Sequence, residues 1–151
     1  MSNIAILGAG KFGTALARIA VQAGYDVAIA RSGDPEPIAL TVSILAPGAT
    51  PMTKEEAIAS SDVVVLAIPL PAYETLDPDA LAGKIVVDAM NYWWESDGLD
   101  SPLANAEPSS SELVAQHLNT SRLVKGFNHI GYHDIAGEAR AEGSPDRIAM
   151  A

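Results

Sequence analysis

The sequence contains no cysteine. Disulfides, thiolate nucleophiles and cysteine-ligated metals are therefore excluded. Basic residues are also scarce: 9 Lys and Arg stand against 19 Asp and Glu, a formal charge of -10. A surface so acidic repels a phosphate backbone, so nucleic acid is not expected as a partner. No basic amphipathic stretch suits an anionic membrane. Long hydrophobic runs are missing too. The longest, Val63–Ile68, is far short of the roughly 20 residues that span a bilayer. No basic segment precedes the strand-like run Asn3-Ile4-Ala5-Ile6-Leu7, and no cleavage pattern follows it. No secretory signal is read, and cytoplasm is the expected compartment. Aromatics are only 5% of a chain that is 48% apolar, its core residues being Ala, Val, Ile and Leu. That is the composition of helices packed on a buried sheet, and 151 residues are enough for one domain with one core.

Short apolar runs alternate with helical stretches. Ile4–Leu7 reads as a strand, and Lys11 to Ala23 carries Phe12, Leu16, Ile19, Ala20 and Ala23 on one helix face, with Gly24 as the C-terminal stop. Asp26–Ala30 reads as a second strand and Ile38–Leu45 as a helix that Pro47-Gly48 ends. Thr53 followed by Glu56 forms a capping box for a short helix reaching Ser60, and Ser109 with Glu112 forms another for a helix through Leu118. Val63–Ile68, Lys84–Asp88 and Arg122–Lys125 read as further strands, with Arg147–Met150 as a last one. Strands joined by helical crossovers predict an α/β, doubly wound, mainly parallel sheet with helices on both faces. The stretch from Asp88 to Ser110, with Tyr92, Trp93 and Trp94, is long for an ordinary connection. The last segment begins like a strand with no closing helix after it, so residues 1–151 are read as one domain lacking its C-terminal part.

Gly8-Ala9-Gly10-Lys11-Phe12-Gly13 is G-x-G-x-x-G, placed after a strand and opening a helix. In that context the pattern is the dinucleotide-binding fingerprint of a Rossmann fold. The first glycine permits the turn, the second lets the backbone approach a pyrophosphate, and the third lets helix and strand pack closely. Cofactor choice falls at the end of the second strand. NAD-binding versions carry an acid there for the ribose 2′-hydroxyl. This chain has Ile29-Ala30-Arg31-Ser32-Gly33. Arg31 and Ser32 suit the 2′-phosphate of NADP(H), since a charge-assisted bond contributes roughly 1.5–3 kcal/mol. Asp34 stands close enough in sequence to hold a ribose hydroxyl, so NAD stays open, as does a merely solvated Arg31.

These residues resemble the NADPH-dependent oxidoreductases of the deazaflavin coenzyme F420 and their ferric-reductase relatives. The resemblance covers the glycine loop, Arg31-Ser32, Ser61 through Pro69, Lys84 through Asp88, Ser110 through Val114, and Arg122-Leu123-Val124-Lys125-Gly126-Phe127-Asn128, which is similar to the family's K-A-F-N segment. It implies hydride transfer between NADP(H) and a small acceptor, the deazaflavin. It also implies that Ala9 to Phe12 cover the pyrophosphate and that Arg31 and Ser32 hold the 2′-phosphate. Ile68, Pro69 and Leu70 would line the nicotinamide ribose, with Met90 and Asn128 near the nicotinamide ring. The family continues past the position of Met150 with elements that complete sheet and homodimer. The aromatic segment from Asn91 to Gly98 departs from its pattern, which leaves two other readings open: a nicotinamide-dependent reductase of another small substrate, and an NADP-sensing domain without chemistry.

No catalytic dyad is evident, as expected where the rings carry the reaction and the protein positions them. Trp93 and Trp94 follow a strand end at the ligand edge and suit either stacking on the acceptor or packing against further protein. His129 and His133 have metal-ligand spacing for a helix face, but Gly131 between them and the lack of a third ligand argue against a metal. Asp88 is read as a turn residue, and Glu36, Glu55, Glu56, Asp77 and Asp79 as solvated surface.

Overall fold

Alternation along the strands decides how this chain folds, because successive side chains leave a strand on opposite faces. In β1 (Asn3–Leu7), Ala5 and Leu7 point to one face and Ile6 to the other. The same split runs through β2 (Asp26–Ala30) and β4 (Val63–Leu66): Ala28, Ala30, Val64 and Leu66 join the first face, Val27, Ile29 and Val65 the second. Both sides are apolar, so both must be covered, and a parallel sheet between helices is the solution. A computed structural model describes residues 3–138 and 140–148. Among them lies a six-stranded, all-parallel sheet in the order β3-β2-β1-β4-β5-β6, with β3 at Thr50–Met52, β5 at Ile85–Asp88 and β6 at Arg122–Lys125.

Helices α1 (Lys11–Gln22) and α2 (Glu36–Leu45) cover one face, inserting Leu16, Ala17, Ile38 and Val42. The other face takes Ala57 and Ile58 of α3 (Lys54–Ala59), Leu70 and Tyr73 of a 3-10 helix (Leu70–Thr75), and Val114 of α5 (Ser110–His117). Truncating a central side chain such as the fully buried Leu66 to alanine costs about 2–5 kcal/mol, because the close-packed sheet cannot collapse around the void. Both expected capping boxes form: Thr53 Oγ1 accepts from Glu56 N at 3.2 Å, and Ser109 Oγ accepts from Glu112 N at 3.4 Å.

The fold departs from the sequence reading in four places. Strand β3 was not anticipated, because Thr50-Pro51-Met52 is short and holds a proline. It sits at the sheet edge, where a residue without an N–H is tolerated. Strand β4 stops at Leu66 rather than Ile68, and the chain then turns into the 3-10 helix. The long connection after β5 contains a one-turn helix α4 (Trp94–Asp97), held by Asp97 Oδ2 accepting from Trp93 N at 2.8 Å. Finally, Arg147 and Ile148 carry no strand, and the rest of that expected element lies outside the described residues.

Candidate cofactor site

Strands β1 and β4 are neighbours, yet their chain continuations leave toward opposite faces, β1 into α1 and β4 into the 3-10 helix. Beyond their carboxyl ends this opens a crevice, the place where ligands bind in such sheets. A cavity of about 740 Å³ occupies it. Its walls are Gly8–Gly10, the tip of β2 at Arg31–Gly33, Lys54 and Glu55 at the start of α3, and Ala67–Pro69 with Ala72, Thr75 and Leu76 opposite.

The glycine loop explains itself by contact distances. A Cβ on Gly8, whose φ is +123°, would stand 2.1 Å from the Ala67 carbonyl oxygen, and one on Gly13 only 1.9 Å from the carbonyl oxygen of Gly8. Those two glycines let β1, β4 and α1 approach one another. Gly10 is different: its φ of -79° suits any residue, and a Cβ there would meet nothing within 4 Å. Gly10 also lines the cavity, so its backbone is open to the close approach that a pyrophosphate requires. Helix α1 has no side-chain cap on its N-terminus and no acid in its first turn, so its dipole and amides remain available to an anion. Lys11 on that turn lies 5.7 Å from the ring centroid of Tyr132, and Phe12 packs edge-to-face on Phe127 at 6.3 Å. Phe127 has a φ of 60°, a left-handed conformation that the packing of its ring sustains.

Beyond the tip of β2, Arg31 and Ser32 are exposed on the cavity wall. Arg31 forms no hydrogen bond or ion pair with any described residue. Asp34 does not line the cavity; its Oδ1 accepts from Glu36 N at 2.8 Å in a local turn before α2. Its reading as a ribose ligand thereby loses its support.

The residues expected beside the nicotinamide are divided. Ile68 and Pro69 lie on the cavity wall. Leu70 and Met90, by contrast, are buried in the core and are not on that wall. Asn128 is exposed, and its carbonyl accepts from Asn91 Nδ2 at 3.4 Å. Met90 is held by a buried charge: Asp88 Oδ1 accepts from Met90 N at 2.9 Å, and Lys125 Nζ, 3.3 Å from Asp88 Oδ2, donates to the Met90 carbonyl. Burial, with Glu74 beside it, pushes the Tyr73 hydroxyl above its ordinary value, so it stays neutral. Its ring meets the His117 ring edge-on, and His117 Nε2 lies 2.8 Å from the carbonyl of Leu76 on the cavity wall.

The structure thus gathers Gly8, Ala9, Gly10, Arg31, Ser32, Ile68 and Pro69 around one cavity, with Lys11, Phe12 and Gly13 on the adjoining helix turn, and sets Leu70, Met90 and Asn128 apart from its walls. Sequence reasoning missed Gly33, Lys54, Ala67, Ala72, Thr75 and Leu76 on this wall, and took Glu55 for open surface only. Lys54 and Glu55 reach the cavity because β3 ends just before them, a strand that the sequence itself does not signal. His129 and His133 lie on turns rather than a helix, so their spacing does not bring them to one face.

The fold and the crevice define a dinucleotide-binding Rossmann domain. The chain belongs to the family of NADP oxidoreductases, coenzyme F420-dependent, whose model matches residues 3–92. It is accordingly a member of an NADP-dependent oxidoreductase family. A hypothetical protein from Sinorhizobium meliloti is 26% identical with a TM-score of 0.76, covering 91% of this chain and 67% of that one. A provisionally named F420-dependent NADP reductase from Arthrobacter sp. is 24% identical with a TM-score of 0.78, covering 95% and 70%. An imine reductase from Pseudomonas sp. shares the fold at 22% identity and a TM-score of 0.61, covering 91% of this chain but only 44% of its own.

Proposed function

We propose that this chain binds NADP(H) along the crevice and serves hydride transfer to a small organic acceptor, the deazaflavin coenzyme F420. The observation that carries the cofactor reading is Arg31: a guanidinium without a partner among the described residues, on the wall of the cavity, where NAD-binding versions carry an acid. The first turn of α1 would receive the pyrophosphate, and Arg31 with Ser32 the 2′-phosphate. Ile68 and Pro69 would flank the nicotinamide ribose. Leu70 and Met90 would act one layer back, as core behind the cavity wall, and Asn128, exposed and bonded through its carbonyl to Asn91, would reach the nicotinamide only from outside that wall. Bound there, the nicotinamide would supply the hydride for a two-electron reduction of the acceptor, balanced by one proton. The chain contributes binding, orientation and exclusion of water. F420 as acceptor draws its support from the family the chain belongs to.

Paired calorimetric titrations with NADPH and NADH at moderate salt test the cofactor reading. At least about tenfold tighter binding of NADPH, lost in Arg31→Ala, is expected from a charge-assisted contact. Equal affinities would reduce Arg31 to a surface charge. Bleaching of F420 absorbance by NADPH then tests the acceptor, and NADPH oxidation only with other acceptors would replace it.

A further inference from the structure

A phosphomonoester carries about -1.5 to -2 charges near neutral pH, more than one guanidinium neutralises. The chain is also strongly acidic, so a cofactor with several negative charges meets repulsion everywhere except where cations are placed on purpose. One further cation stands at the adenosine end of the cavity. The register of β2 and β3 pairs Ala30 with Met52, so Arg31 follows by one residue and Lys54 by two on strands that lie about 5 Å apart. Both line the cavity. The capping box of Thr53 and Glu56 pins the backbone of Lys54 at the start of α3, while its side chain keeps about a third of its exposure. Lys54 Nζ lies 3.7 Å from Glu55 Oε1, whose side chain is 77% exposed, an arrangement that contributes little and is readily exchanged.

We propose that Lys54 completes the 2′-phosphate site begun by Arg31, leaving Glu55 for the phosphate when NADP(H) binds. Lys54 is then a specificity-determining residue, a compact point charge beside the planar fork of Arg31. Glu55 is its counter-charge, and its competition limits affinity for NADPH. The assignment rests on the reading of this cavity as an NADP(H) site.

The test is a fluorescence titration of NADPH and of NADH against the intact chain and four variants: Arg31→Ala, Lys54→Met, Lys54→Arg and Glu55→Gln. Lys54→Met is expected to weaken NADPH by about tenfold and NADH by less than about twofold. Lys54→Arg should keep most of the preference, and Glu55→Gln should tighten NADPH by about twofold. Far-ultraviolet circular dichroism verifies that each variant keeps its helices. An unchanged NADPH-to-NADH ratio in Lys54→Met overturns the proposal, as does an equal loss of both cofactors. If the wild-type chain prefers NADPH and only Arg31→Ala abolishes that preference, the Lys54 assignment alone fails. A wild-type ratio near one overturns the cofactor reading together with it.

Discussion

Asp88 and Lys125 face each other as the last register pair of β5 and β6, with Lys125 Nζ 3.3 Å from a carboxylate that is almost wholly buried. The contact is an ion pair without an aligned hydrogen bond, since Asp88 Oδ2 has no hydrogen-bond partner among the described residues. The expectation of Asp88 as a turn residue therefore captures half of its role: one oxygen holds Met90 N in a turn, and the other is a buried charge that Lys125 compensates.

Removing the lysine strands that charge. Lys125→Met is expected to destabilise by about 2–3 kcal/mol, below the 3–5 of a fully buried pair because Lys125 is 29% exposed. Asp88→Asn should cost less, since the amide still accepts from Met90 N and the lysine reaches solvent. Urea unfolding of both single variants and the double variant measures the difference. Equal costs would show that the pair is not the source of the effect.

The three glycines of the loop should separate stability from binding. Gly8→Ala and Gly13→Ala place a Cβ at 2.1 and 1.9 Å from backbone oxygen, so each is expected to cost at least about 3 kcal/mol. Gly10→Ala meets nothing in the protein and should stay within about 1 kcal/mol of wild type. Its NADPH affinity should nevertheless fall by more than about tenfold, because the methyl enters the space a pyrophosphate needs. Thermal melts paired with titrations read both effects, and an unaltered affinity in Gly10→Ala would remove the loop from the binding site.

Acid should loosen α3 and α5 through their caps. Hydrogen bonds from the Thr53 side chain and backbone hold the Glu56 carboxyl below its ordinary value of 4.5, and those from Ser109 do the same for Glu112. A lowered folded-state value means that the stabilisation is complete above 4.5 and is lost as pH falls through the folded value. A Glu56→Gln/Glu112→Gln variant keeps neutral caps. Its deficit in melting temperature relative to wild type should therefore shrink as pH drops below that point. A deficit independent of pH would rule the carboxylates out.

Trp93 and Trp94 are 56% and 52% exposed, and neither lines the cavity beyond β1 and β4. Single alanine variants should change stability by no more than about 0.5 kcal/mol and leave NADPH affinity intact. Acceptor turnover then decides between the two uses of such rings. A fall in either variant assigns that ring to the acceptor, and intact turnover in both assigns them to a protein surface.

Much of the sheet was legible in residue order, and for a physical reason. Asp26–Ala30 and Arg122–Lys125 were read with the bounds they have; the first is a buried apolar run, as a parallel strand covered on both faces must be, and the second a short edge strand between helical stretches. The caps at Thr53 and Ser109 were equally plain, because they are made by residues three apart. Strand β3 was not legible. Its pairing partner is more than twenty residues away, and its proline argues against a strand unless the edge position is known.

The site divides along the same line. The glycine loop was found from sequence because a strand, a turn and a helix start are contiguous in the chain, and the chemistry of the turn depends on local backbone. Arg31 was found because the tip of the second strand is a fixed distance away in sequence. Met90 and Leu70 were expected beside the cofactor, but their distance from the cavity wall depends on which way a side chain points after a bend, and that is settled by packing against the rest of the core.

By itself, then, the order of residues determined the α/β class, the crevice glycines and the charge at the tip of β2, since each follows from short-range periodicity or a local turn. Tertiary structure alone decided that Lys125 neutralises Asp88 and that an edge strand carries Lys54 to the same cavity as Arg31. Those are meetings between segments distant in sequence, and only the pairing and burial of the assembled sheet bring them within contact.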